Sequence, residues 1–250
     1  MRMVSRDTAV VRILQALAVW GVIASGIPVT FFFLTAAEQD PDELAIICMG
    51  TGLLVIWCVI GGILMRLGRD RFVAAAKRMR VGWRARFVLL CILMAMLEEV
   101  VTTSLTNAAP LFGAATDAAK ITISTNYFEV ISTSVVAFVP WFIFWGWFLG
   151  KYDFRPLEVF LLIGLTGTIA ESTINFSWGN FAGVGMWTYV YGLMVYLPAH
   201  TVPRDRPVKP ARWYHFIAAV FVPLVFIIPL LLYLVYWFIR KALRAVLVLF

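Results

Sequence analysis

The sequence predicts an all-helical integral membrane protein, a bundle of about seven transmembrane helices with a cytoplasmic N-terminus. Three observations carry that reading. Of 250 residues, 62% are hydrophobic and only 14% charged, against ~45–50% and ~25% in soluble domains. The apolar residues fall into stretches near the ~20 residues that a helix needs to cross a bilayer. Lys and Arg gather between alternate stretches, as the positive-inside rule requires. The chain therefore reads as one polytopic domain, 1–250, placed in the plasma (inner) membrane.

The first span, 13–34, follows Arg2, Arg6 and Arg12. Its apolar run continues through Phe31–Leu34, too long for a signal-peptide core, so it reads as a retained signal anchor. Glu38, Asp40, Asp42 and Glu43 then form an acidic outer loop. The second span, 44–65, ends on a basic inner loop, 66–86, with Arg66, Arg69, Arg71, Lys77, Arg78, Arg80, Arg84 and Arg86. Within it, Phe72–Ala76 before Lys77 fits a short helix lying on the cytoplasmic leaflet, or a solvated loop that obeys topology. Anionic lipid is its expected partner. The net charge of +7 belongs to these flanks, which argues against a nucleic-acid partner.

The third and fourth spans are 87–106 and 128–149, and Lys151 and Arg155 mark the inner end of the fourth. The fifth and sixth are 157–177 and 183–199, followed by Arg204, Arg206, Lys209 and Arg212. The seventh, 213–239, puts Arg240, Lys241 and Arg244 outside, against the rule. Either the short, glycine-rich 183–199 stretch is no simple crossing, or the tail lies in the interface. Pro28, Pro140, Pro223 and Pro229 are expected to kink their helices. Cys48, Cys58 and Cys91 lie in apolar stretches and lack the spacing of a metal site or disulfide framework.

Three middle spans are not uniformly apolar. In the third, Glu98, Glu99, Thr102, Thr103 and Thr106 share an arc of roughly 140° at ~100° per residue. In the fourth, Asn126, Glu129 and Thr133 share a face. In the fifth, Gly164, Gly167, Thr168, Glu171 and Asn175 form a stripe of small and polar residues. Each acid costs ~2.5–3.5 kcal/mol at the centre of a lipid-facing helix. The acids are therefore expected to face inward and to be neutralised by a proton or a bound cation, since no Lys or Arg lies within these spans. The candidate site is thus Glu98, Glu99, Thr102, Thr103, Asn126, Glu129, Glu171 and Asn175. It is expected to line an outward-facing pocket, open away from the cytoplasm in the outer half of the bilayer, and to serve transport or binding of a cation, proton or proton-coupled solute.

Two other readings stay open. The Glu98-Glu99 pair inside a helix resembles the first motif of the CAAX-type glutamate-dependent membrane proteases, which implies an intramembrane hydrolase. In that family a basic residue follows the pair, and later helices supply histidines and an asparagine. Here Val100-Val101-Thr102-Thr103 follows, and the only histidines, His200 and His215, fall at inner ends of spans. The other reading is a non-catalytic subunit of a membrane complex or a homo-oligomer, for which the aromatic content and Trp141, Trp145 and Trp147 would supply contacts. There is no phosphate-binding Gly-rich loop, no Cys-x-x-Cys and no lysine in the last span. These absences argue against ATP-driven chemistry and against a retinal-type Schiff base, and the reading leans away from an enzyme without settling it.

Overall fold

The computed structural model describes residues 6–34, 40–115, 119–174 and 182–225, without the side chains of 32, 33 and 174. Seven helices fall on the seven apolar stretches. They are α1 (Arg6–Leu34), α2 (Pro41–Lys77), α3 (Trp83–Asn107), α4 (Tyr127–Leu149), α5 (Pro156–Ile174), α6 (Val184–His200) and α7 (Trp213–Val225). Helices α1 to α4 contain apolar segments long enough to cross a membrane. A 3₁₀ turn, Ala109–Phe112, follows α3, and a two-residue parallel bridge joins Tyr152–Asp153 to Lys209–Pro210.

Local chemistry starts and interrupts these helices. Asp40 caps α2, its carboxylate accepting from the Asp42 N–H at 3.0 Å, with Pro41 at the first helical position, where its missing N–H costs nothing. Asn126 caps α4 through Phe128 N at 2.9 Å. Two helices carry π-helical turns, Leu54–Gly61 in α2 and Ile131–Val135 in α4. Apolar content and length predict a helix at both places, but nothing in them announces the wider turn.

The basic stretch after the second span departs from expectation. Residues 62–77 are not a loop or a separate surface helix; they continue α2, which runs for 37 residues, Pro41–Lys77. The apolar segment and its basic extension are one rod, and only residues 78–82 turn the chain.

The short sixth stretch is the hub of the bundle. Helix α6 packs on α5 most extensively and also on α1, α2 and α3. Close packing and interhelical hydrogen bonds hold these apolar helices together. Glycines make the approach. A Cβ on Gly185 would strike the Leu17 carbonyl and Gly21 of α1, and one on Gly164 would strike the Thr188 carbonyl. Gly167 lies against the Tyr191 ring and Gly192 against Phe160. Hydrogen bonds add to this: Trp57 Nε1 donates to Val190 O at 3.1 Å, and Tyr189 Oη donates to Leu14 O at 2.9 Å.

The bases gather at one end of the molecule. There Glu158, only 1% exposed, accepts both Nε and Nη2 of Arg6 at 2.8 Å. The same carboxylate caps α5 by accepting the Arg155 N–H at 2.8 Å. Arg155 pairs in turn with Asp7, whose hydrogen bond and charge raise the Arg155 pKa further. Arg206, buried beneath the bridge, donates to Leu149 O at 2.8 Å and Pro203 O at 2.6 Å and faces Asp153 at 3.7 Å. Arg86 reaches Thr201 O at 3.3 Å. These contacts tie α1 to α5, and α3 and the end of α4 to the segment that follows α6.

Candidate functional site

Four helices bring polar side chains to one level. Glu98 is counted from the start of α3 at Trp83, Ser134 from the end of α4 at Leu149, and Glu171 from the start of α5 at Pro156. Each stands about four helical turns, ~22 Å, above the basic end. Tyr191, roughly two and a half turns from the basic end of α6, starts lower. Helical side chains lean towards their N-terminus, which for α6 is the opposite end, so the tyrosine leans up to the same level.

The contacts follow from that level. Tyr191 Oη donates to Glu171 Oε2 at 2.7 Å. Thr102 Oγ1 donates to Glu99 Oε2 at 3.0 Å, across one helical turn. Ser134, on the π-helical turn of α4, lies near the same Glu99 carboxyl. Glu98, Glu99 and Glu171 lie within electrostatic range of one another and of Tyr191. Phe138 closes the group with its ring 5.8 Å from that of Tyr191, edge to face. No ion pair among the described residues involves Glu98 or Glu99.

Of the residues singled out by sequence, the structure brings Glu98, Glu99, Thr102 and Glu171 to this cluster. Thr103 is buried beside it, its hydroxyl unpartnered among the described groups. Glu129 and Asn126 lie elsewhere, exposed at the end of α4 remote from the bases. There Ser124 Oγ donates to Glu129 Oε2 at 2.6 Å. Glu129 helps shape the first turn of α4, not the buried group. Asn175 is outside the described residues. The polar stripe of α3 divides likewise. Its lower part faces the cluster, while Thr106 and Asn107 hold the 121–125 segment, with Asn107 Nδ2 donating to Thr125 O at 3.0 Å.

The sequence also predicts an open pocket. Glu98 and Glu99 are instead enclosed, at 5% and 7% exposure, and Glu171 is the half-buried member. Sequence reasoning misses two participants. Ser134 escapes it because it is one of three consecutive hydroxyl residues, Ser132–Ser134, of which the stripe of α4 takes only Thr133. Tyr191 escapes it because an aromatic stripe in a span usually reads as packing; the signal is Gly167 opposite it, leaving room for the ring to reach Glu171.

The histidines do not join this group. His200 Nδ1 contacts Tyr196 O at 2.7 Å, one turn back on its own helix, and lies ~13 Å along α6 from Tyr191. His215 Nδ1 accepts the Arg212 N–H at 2.9 Å, stacked on Tyr152 at 3.8 Å. Among the described residues no three His, Cys, Asp or Glu side chains are placed to hold a metal ion.

Compared with known families, curated proteins and solved structures, the chain matches none, so its chemistry rests on its own residues. What the fold and site define is an all-helical protein with four helices long and apolar enough to cross a membrane and a largely buried carboxylate cluster.

Proposed function

We propose that the chain is a proton-coupled membrane transporter in which Glu98, Glu99 and Glu171 take up and release protons. The observation that carries the reading is the convergence of three carboxyl groups with a tyrosine and two hydroxyls. Four helices enclose them, and no cation among the described residues pairs with Glu98 or Glu99. An ionised acid in the hydrocarbon is costly, so an incoming proton changes the local energy more than any other small ligand could. Tyr191, bonded to Glu171, stands within electrostatic range of the buried pair, which gives the proton a next stop. Intramembrane acids that face a bundle interior mark such relays. The described geometry favours the proton over a multivalent cation, since no three His, Cys, Asp or Glu side chains among the described residues are grouped to hold one. It equally disfavours a histidine-dependent hydrolase.

In this reading α5, α6 and α7 cross with α1–α4, the basic end faces the cytoplasm, and the chain sits in the plasma membrane. The exposed apolar faces of α1 and α2, with Val19, Val22, Ile27, Ile56 and Ile63, meet lipid or a second membrane subunit. Purified protein in liposomes with an entrapped pH dye tests the proposal. An acid pulse should drive proton entry that Glu99→Gln and Glu171→Gln each slow by about tenfold or more, as removing a well-placed proton-transfer group does. Unchanged proton flux in both variants sinks it.

A further inference from the structure

A groove opens on the outside of the bundle between α3 and α4, close to the basic end. It is lined by Arg84, Val88, Leu89, Ile143, Gly146 and Trp147, with a volume of about 400 Å³. Gly146 forms its floor. Without a side chain there, α4 lies against Val88 and the Arg84 carbonyl, and a slot is left along the line of contact. Leu89, Ile143 and Trp147 remain about half exposed on its walls. The slot descends from Arg84 to Leu89 on α3, ~7 Å, and from Lys151 to Ile143 beside α4, ~12 Å, by helical rise.

Charge marks one end only. Arg84 lies against Gly150, with its guanidinium 5.4 Å from the Trp83 ring centroid. Lys151 sits over Trp147 with Nζ 4.0 Å from the ring centroid. Both are exposed, and neither joins an ion pair among the described residues. This contrasts with Arg6, Arg155 and Arg206 at the same end, which are all matched to acids. An apolar slot at membrane depth, capped by two unmatched cations and an indole at interfacial height, complements one chemistry: a hydrocarbon chain joined to an anionic headgroup.

We propose that this groove is a binding site for an anionic phospholipid, one acyl chain lying along Val88, Leu89 and Ile143 over Gly146, and the phosphate held by Arg84 and Lys151. The site depends on the chain residing in a bilayer but not on what the carboxylate cluster does.

The full chain in phosphatidylcholine vesicles, titrated with brominated-chain phosphatidylglycerol or brominated-chain phosphatidylcholine, tests it. The difference in quenching between wild type and Trp147→Phe isolates the groove indole. Trp147 should be quenched at a roughly thirtyfold lower mole fraction of the anionic lipid, in line with ~1 kcal/mol for each of the two basic residues near an anionic surface. Arg84→Ala with Lys151→Ala should equalise the two lipids, and Gly146→Leu should abolish quenching by both. Arg66→Ala with Arg71→Ala, which removes exposed charge elsewhere on the same end, should leave the preference intact. Equal quenching of wild type by both lipids overturns the proposal without recourse to any variant. So does quenching by neither, or a preference lost equally in the Arg66/Arg71 control, which would assign it to surface charge at large.

Discussion

A single hydroxyl joins the half-buried acid to the buried pair's neighbourhood. Tyr191→Phe keeps the ring against Phe138 and Gly167 and removes only the bond to Glu171. Its expected cost is about 0.6–1.5 kcal/mol of stability, with proton entry slowed in the liposome assay while the thermal midpoint barely moves. Ser134→Ala, on the Glu99 side, should behave alike; wild-type flux in both would mean that neither hydroxyl belongs to the path. The ion pairs separate by burial in the same way. Arg6→Ala leaves Glu158 enclosed with one backbone donor, an expected loss of about 1–3 kcal/mol, reduced from a fully buried pair because Arg6 is itself partly solvated. Arg69→Ala removes an exposed neighbour pair with Asp70 and should cost at most ~0.5 kcal/mol. Thermal unfolding of the two variants in detergent compares them directly.

At the scale of the helix, the glycines make opposite predictions. Gly164→Val and Gly185→Val would drive a side chain into the backbone of a neighbouring helix, so both should lower thermal stability severely and lose the folded peak in size exclusion. Gly50→Ala and Gly68→Ala meet nothing within contact range and should be neutral or stabilising by up to ~1 kcal/mol, the ordinary helix-propensity gain. If Gly185→Val were tolerated, the α1–α6 approach would be misplaced. The positions of the helices are legible from sequence because apolar run length is a strong signal. So is the inward face of α3, since Glu98, Glu99 and Thr102 share one helical arc. What escapes has a local cause in each case. The extension of α2 to Lys77 is hidden because Arg, Leu and Ala in residues 66–77 satisfy both a helix and a topology-marking loop. Glu129 looks like part of the site because periodicity fixes a face but not what that face meets. The importance of α6 is hidden by its shortness, since a stretch below the ~20 residues of a full crossing reads as a doubtful span. Its glycines, which look like weak helix formers, are what let its neighbours close on it.

For the molecule as a whole, one end is electrostatically and mechanically tied together. The bridge between Tyr152–Asp153 and Lys209–Pro210, the buried Arg206 and the Arg6–Glu158 pair hold the segments around residues 150–155 and 201–212 as a cap. The turn at 78–82, by contrast, presents Arg78 and Arg80 exposed and outside any helix. That difference has a consequence for proteolysis. Trypsin cuts after Lys and Arg but not before proline, and Arg155, Arg206 and Lys209 are each followed by proline. On the proposed orientation, protease added to the cytoplasmic face of membrane vesicles should therefore open the chain first between α2 and α3, yielding two fragments that stay associated through α6. Protease confined to the opposite face should leave those bonds uncut. The vulnerable turn is thus a built-in reporter of which way the protein faces.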